Sequence, residues 1–435
     1  MTLSQPAPAR AAQPPELAGE ASQPLAPATD TVPVTETATA VGTVPAVAAL
    51  PAQQTVPGGE TVSAGETVPA GGAELPTRLR AVDPLLIELS EAAGDKVIVS
   101  SPRLPARLRV GPAVAQILIA ARSGLRTADH PRHVLARLTQ AGFLVDAEAE
   151  PTPAGPPWND WGTTAWNFYA RIKDTSFVST DPGQLAEYRS NFARRPRPPS
   201  VRAPVSDRIL LLPRVRSALD VPYREVLENR RTHRYFEDQP MDLDAFSDLL
   251  HYTFAPLRFV DSGEVGVLQL RAAASGGARH ETEAFVFALN VESVRPGLYH
   301  YDNIRHGLAP IRSDVGRAEL EHLTFGQGFF SQASFGVLTV AAAERMSWKY
   351  PHPVAYRMLL QNVGHMAQVF SMTATALGFG ASLTGAIRGT EADAMLGLNQ
   401  PSEFTTFALA CGVPVRTPSG MPKSVRAPDE PPEFY

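Results

Sequence analysis

The chain has 435 residues, of which 44% are hydrophobic and 19% charged, with a formal net charge of −5. That length accommodates two or three domains, and that charge offers no basic surface for nucleic acid. A single cysteine, Cys411, excludes an internal disulfide and a cysteine-cluster metal site. No apolar run reaches the ~18 residues that span a bilayer. The opening MTLSQPAPAR lacks the charged and apolar regions of a secretory signal, so a cytoplasmic location is expected.

Residues 1–76 are almost wholly Pro, Ala, Thr, Val, Gly and Glu, and TVP recurs at 31, 43, 55 and 67. A regular twelve-residue step could mark a solenoid. These repeats contain no aromatic residue and no large apolar cluster to stack, so a disordered acidic tail is expected. Residues 77–150 are expected to form a small winged-helix-like domain. DKVIVSSP and ARLRVG read as strands, and PAVAQILIAARSG as a helix with Pro at its start and Gly at its end. RTADHPRHVLARLTQAGFLVDAE then reads as a second helix, a stop and a strand. That helix carries Arg132, His133 and Arg137 without a wider basic stripe. An extended peptide or partner added at a sheet edge is therefore favoured over DNA. Residues 151–204 are expected to hold a tryptophan-containing helix, with Trp161 and Trp166, that packs on the next domain, and then a Pro- and Arg-rich linker.

Residues 205–435 form the main domain. SALDVPYREVLENRRTHRYF reads as a helix followed by a basic turn, and MDLDAFSDLLHYTFA as an amphipathic helix capped by Asp242 or Asp244. EAFVFALN and PGLYHYD read as strands, and FFSQASFGVLTVAAA as a helix end and a buried strand. A long helix over 354–377 comes next, then a Gly-rich loop, the short helix TEADAMLGLN and the strand EFTTFALACGVP. Helices and strands alternating around a mixed or antiparallel sheet define an α+β class.

Four stretches carry chemistry. In NRRTHRYF, Arg230, Arg231, Thr232 and Arg234 gather three guanidinium groups and a hydroxyl within five residues. Guanidinium forks suit a phosphate, while cations at a helix C-terminus also complement its dipole. In RAAASGGARHETEAF, Ser275, Gly276 and Gly277 enter a strand and admit a flat ligand close to the backbone, or mark a plain turn. ALGFGASLTGAIRG is Gly-rich without the spacing of a P-loop, and its amides could face an anion. In the long helix, Gln361, His365 and Gln368 share a stripe amid apolar residues, which predicts a buried helix. Lys349 and Tyr350 stand just before it. A lysine beside a low-dielectric pocket has its pKa lowered, and a neighbouring tyrosine can share the proton.

Taken in order, RRTHRYF, SGGARHxxE, PGLYHYD, KYPHPVAYRMLLQNVGHMAQ and ALGFGASLTGA resemble the FMN-dependent nitroreductase superfamily over roughly 205–415. More narrowly they resemble the SagB/McbC-type dehydrogenases of ribosomal-peptide maturation. The resemblance implies a nitroreductase-like α+β sandwich that forms a homodimer with FMN at the subunit interface. It implies that Arg230, Arg231, Thr232 and Arg234 hold the phosphate and ribityl chain, that Ser275, Gly276 and Gly277 line the isoalloxazine, and that Thr384 and Gly385 approach it from the other side. Lys349 and Tyr350 become the acid/base pair, and the reaction becomes oxidation of an azoline ring in a modified precursor peptide to an azole. A cyclodehydratase is an implied partner. Alternatives are an NAD(P)H-dependent nitroreductase or flavin reductase, a dehydroamino-acid reductase, and a flavin-free scaffold that binds a leader peptide. Three positions depart from the family pattern: Asn362 stands where a Glu is frequent, Ala274 precedes the Ser where Pro is frequent, and Glu281 follows His280 where Pro is frequent.

Overall fold

The computed structural model describes residues 74–89, 93–175, 183, 190, 194–203, 205–214, 217 and 219–416, except the side chain of Glu264. Apart from its last three residues, the tail expected over 1–76 lies outside the described residues, as does much of the linker before 205.

The first described region runs β1 (Arg78–Ala81), β2 (Leu86–Leu89), β3 (Val97–Ser100), β4 (Arg107–Val110), α1 (Pro112–Ala120), β5 (Leu125–Arg126), α2 (Arg132–Gln140) and β6 (Leu144–Asp146). β2, β3 and β4 form an antiparallel meander, and β1 lies between β5 and β6 in a second sheet. Leu79, Val99, Leu108, Leu118, Leu135 and Phe143 are buried together between these sheets and helices. Both helices and the strands β3, β4 and β6 fall where the sequence pattern puts them. Strands β1, β2 and β5 are not among the elements read from the sequence.

Helix α3 (Trp158–Ile172) ties this region to the main domain. Arg171 donates to the Leu104 carbonyl at 3.0 Å, and the Arg103 guanidinium lies 4.9 Å from the Trp166 ring centre. On the other side, Phe168 meets Tyr356 edge-on at 5.9 Å. The packing on the main domain is thus made by Phe168, while Trp161 is 63% exposed.

The main domain continues with β7 (Leu210–Leu211), α4 (Tyr223–Asn229), α5 (Leu243–Phe254), β8 (Arg258–Asp261), β9 (Val267–Leu270), β10 (Thr282–Ala288), β11 (Gly297–Asp302) and β12 (Gly307–Arg312). Then come α6 (Arg317–Leu323), α7 (Gly328–Gln332), β13 (Phe335–Ala342), α8 (Ala343–Lys349), α9 (Val354–Ala376), β14 (Gly380–Thr384), α10 (Gly389–Leu396) and β15 (Glu403–Gly412). Seven strands form one antiparallel sheet in the order β14-β15-β13-β10-β11-β12-β7. Every residue of β10 is buried. Because side chains alternate across a strand, Ala284, Val286 and Ala288 pack with Phe246 and Leu249 of α5 and Met366 and Phe370 of α9. Phe285 and Phe287 pack on the opposite face with Leu320 of α6, Phe330 of α7 and Leu396 of α10. Helices on both faces of an antiparallel sheet give the expected nitroreductase-like α+β sandwich. Among the described residues, no helix is long and apolar enough to cross a membrane.

Two expectations need correction. The long helix is not buried all round: Gln361, His365 and Gln368 are exposed, as are Gly364 and Leu360, so the polar stripe faces out of the chain. The Gly-rich stretch after it is only partly a loop. Gly380–Thr384 is a strand paired with β15, and its first three residues are buried. Gly380 is required there by close packing, because a Cβ at that position would lie 2.7 Å from the His233 ring.

Asp242 caps α5 by accepting the Ala245 N–H at 2.9 Å. Asp242→Ala should therefore lower stability by about 1 kcal/mol, and Asp242→Asn by much less. Urea unfolding of the two variants beside the parent checks this; equal midpoints for all three would contradict it.

Candidate active site

The described contacts gather the candidate residues into two groups. The first is built along β14. Helix α4 ends at Asn229, and Arg230 leaves it with φ −58° and ψ 120°. The chain then runs beside β14, where Thr232 bridges Ala381 in parallel and the His233 N–H donates to the Ala381 carbonyl at 2.9 Å. Those contacts hold Arg230, Thr232 and Arg234 next to the strand that ends in Thr384. Arg231 is exposed and turned back on the Arg230 carbonyl at 2.8 Å. At the start of α7, Gln327 donates to the Thr384 hydroxyl at 3.2 Å, and the Arg234 guanidinium lies 5.9 Å from the Phe329 ring centre. Gly385 is exposed, so its backbone is open to a ligand. Burial, and then repulsion from Arg230 and Arg416, lowers the His233 pKa to about 4, so its imidazole is neutral at pH 7.

The second group is built on the Ser-Gly-Gly turn. Gly277 has φ +63°, which a glycine adopts freely. The Gly276 N–H donates to Asn362 Oδ1 at 3.1 Å, and Asn362 Nδ2 donates to Glu281 Oε1 at 2.9 Å. Lys349 Nζ donates to the Gly277 carbonyl at 3.5 Å. A Cβ added to Gly277 would clash with the Tyr350 hydroxyl and sit 2.7 Å from Lys349 Nζ. The Lys-Tyr pair and the turn therefore meet, and a side chain at position 277 would displace the Lys349 and Tyr350 tips.

Three residues without a role in the sequence reading belong to this group. Arg279 is 4% exposed, and its guanidinium lies 5.2 Å from the Trp348 ring centre. Among the described residues, its Nε and Nη1 have no hydrogen-bond partner. Burial, and then the Arg279 charge, lowers the Lys349 pKa below the ordinary lysine value. Burial raises the Tyr350 pKa against the pull of the same arginine. The lysine is thus pushed toward its neutral, proton-accepting form, while the phenol keeps its proton. Arg345 seats the helix that carries the pair: it meets Glu283 at 2.6 Å and donates to the His280 carbonyl at 3.1 Å. Glu281, fully buried, supports the turn from below. Arg279 and Glu281 lie inside the stretch SGGARHETE, so the signal was their adjacency to the turn. Arg345 gave none, since its partner is 62 residues away in sequence.

These features define the class. Residues 227–413 match the Nitroreductase family model, and the chain carries a nitroreductase-family domain over that stretch. It is 29% identical over 172 residues to MJ1384 of Methanocaldococcus jannaschii, named as a nitroreductase, covering 40% of this chain and 82% of that one. It is 26% identical over 165 residues to the trifolitoxin-processing protein TfxB of Rhizobium leguminosarum bv. trifolii, covering 37% of this chain and 44% of TfxB. The match thus spans less than half the length of TfxB. Among solved structures, a nitroreductase homologue from Ralstonia eutropha superposes with a TM-score of 0.40 at 24% identity, covering 50% of this chain and 95% of that one.

His280 provides a pH test. It is 5% exposed, and burial first, then Arg271, lowers its pKa from 6.5 to about 3. Between those values the unfolded chain holds a proton that the folded chain excludes, so stability is lost as pH falls from 6.5 toward 3. His280 has φ +43°, which asparagine tolerates. His280→Asn should flatten the stability–pH curve in that window by up to about 1.4 kcal/mol per pH unit. Denaturant unfolding at stepped pH reads this directly, and parallel curves for parent and variant would contradict it.

Proposed function

We propose that this chain is an FMN-dependent dehydrogenase of ribosomal-peptide maturation that oxidises an azoline ring in a modified precursor peptide to an azole. The observation that carries the reading is the meeting of Lys349 and Tyr350 with the Ser-Gly-Gly turn at Gly277. A proton-accepting amine and a protonated phenol side by side are what removal of a weakly acidic ring proton needs. The family domain and the likeness to a trifolitoxin-processing protein support the class and the peptide substrate.

The residues fit FMN. Arg230 and Arg234, with the Thr232 hydroxyl, supply charge-assisted donors suited to a phosphate and a polyol chain, and Arg231 adds a third cation at the exposed edge. Thr384 ends β14 and the open Gly385 follows it directly, while Ser275, Gly276 and Gly277 offer a glycine-lined surface to a flat ring. When bound, FMN would accept two electrons and one hydrogen from the ring. The chain's own part is to hold the ring against the turn and take the second hydrogen as a proton on Lys349, with Tyr350 sharing it. Burial first, and then the Arg279 charge, favours this by lowering the Lys349 pKa.

A second copy and a peptide each have a surface to meet. The outward stripe of α9, from Tyr356 and Leu360 through Gly364, His365 and Gln368, supports a homodimer that would complete the flavin site. In the first region, β2 is a sheet edge with Ile87 38% and Leu89 80% exposed, which supports strand addition by the precursor peptide at a winged-helix-like domain. A cyclodehydratase would supply the azoline. The second reading, an NAD(P)H-dependent nitroreductase, is favoured by the MJ1384 alignment, which needs only the family domain.

Lys349→Met should keep bound FMN yet lose at least about 100-fold in the rate at which a thiazoline- or oxazoline-containing peptide loses two hydrogens, followed by mass spectrometry. Retained turnover in that variant, or flavin reduction by NADH at full rate with no peptide oxidation, would contradict the azoline reading and favour the nitroreductase one.

A further inference from the structure

Glu281 is a fully buried carboxyl beneath the Ser-Gly-Gly turn. Its Oε1 accepts from Asn362 Nδ2 at 2.9 Å, and its Oε2 accepts from the Ser275 hydroxyl at 3.4 Å. Asn362 is 5% exposed and uses its carbonyl oxygen to accept the Gly276 N–H at 3.1 Å. A carboxamide has one donor end and one acceptor end. With Glu281 facing the donor end, the acceptor end must face Gly276. Ser275 is set in the same way: its hydroxyl reaches Glu281 and accepts the His280 N–H at 3.0 Å. One carboxyl thus governs the two side chains that shape the turn at both of its ends. The next residue, Gly277, is the one that meets Lys349 and Tyr350.

The pairing also joins two of the three positions at which the sequence departs from the family pattern. Asn362 and Glu281 lie 81 residues apart in the chain and in hydrogen-bond contact in the fold. An acid on the turn faces an amide on the helix, and the converse arrangement would make the same hydrogen bonds.

We propose that Glu281 is the positioning residue of this site: through Asn362 and Ser275 it fixes the Ser-Gly-Gly turn at the point where Lys349 and Tyr350 meet Gly277. The inference rests on the reading of Lys349 and Tyr350 as the proton-handling pair. The stronger contact requires an acceptor facing Asn362 Nδ2, which Glu281→Gln keeps through its amide oxygen. The Ser275 hydroxyl then turns to accept at the longer 3.4 Å contact. Glu281→Gln should therefore be tolerated and Glu281→Leu should not. Asn362→Asp alone sets carboxyl against carboxyl at 2.9 Å, whereas Asn362→Asp with Glu281→Gln exchanges acid and amide and restores the complement.

The test uses the full chain and two readouts that need neither substrate nor flavin. The chain has four lysines, Lys96, Lys173, Lys349 and Lys423. Reductive methylation with a carbon-13 label therefore gives few resonances, and Lys349→Arg assigns the one that matters. Amide exchange of the segment containing Gly276 is followed by mass spectrometry. Glu281→Leu and Asn362→Asp should speed that exchange about tenfold, the loss of one buried hydrogen bond. Both should also raise the Lys349 titration midpoint toward the ordinary lysine value. Glu281→Gln and the double exchange variant should stay within about twofold of the parent in exchange rate and match its midpoint. Lys349 titrating as in the parent in Glu281→Leu and Asn362→Asp would overturn the proposal, even if both were less stable. A double variant no better than Asn362→Asp would overturn it too. If Glu281→Leu does not fold, the comparison of Asn362→Asp with the double variant decides alone. Because flavin and peptide are absent from these readouts, failure here leaves the dehydrogenase reading standing, and failure of the Lys349→Met experiment leaves this result standing.

Discussion

The ion pair between Glu283 and Arg345 sets the geometry on which the rest of the site depends. Glu283 lies in a strand with no exposed residue, so its carboxyl is cut off from water. Burial alone would push its pKa up, but Arg345 and His300 pull it down to about 2, and it remains charged. A buried pair of this kind adds little net stability, yet removing one partner strands the other charge at a cost of about 3–5 kcal/mol. The fold is therefore held to the one arrangement in which α8 sits against β10. Arg345 also binds the His280 carbonyl, so the same side chain that seats the helix seats the end of the Ser-Gly-Gly turn. Four residues further along α8, Lys349 arrives at that turn.

Helix α9 links the two halves of the candidate site. Near its start, Asn362 holds Gly276, and beyond its end the chain turns into β14, which carries Thr384 and leads into Gly385. The basic segment from Arg230 to Arg234 is fastened to that same strand by its own backbone. The basic segment and the Lys-Tyr pair thus stand on separate elements with a common support, which suits the cofactor-holding and proton-handling roles and the second copy proposed for them. A rigid helix between the groups suits a reaction that needs a ring held between a flat acceptor and a base.

Local patterns made much of the fold legible. Asp242 or Asp244 announced the start of α5, and the apolar runs in EAFVFALN and FFSQASFGVLTVAAA announced the two central strands. The order of five short motifs was enough to resemble the family whose model matches 227–413. Nonlocal packing was not legible. Gly380 reads as a loop glycine until the His233 ring is placed against it, and the Gln361–His365–Gln368 stripe reads as buried until the helix is seen with one face uncovered. In the site, the Lys-Tyr pair was visible as chemistry, and its contact with Gly277 was not, because 72 residues separate them. Arg279 and Glu281 were in plain sight beside the turn, but their roles depend on Trp348, Lys349 and Asn362, which only the fold brings near.

We propose above all that this sandwich holds a flavin and uses it. The most direct measurement is the visible absorption spectrum of the purified protein, followed by denaturation and identification of the released chromophore. One FMN per chain, or uptake of added FMN to that ratio, is expected. A colourless protein that takes up no FMN in excess would contradict it, and would leave the chain as a peptide-binding scaffold.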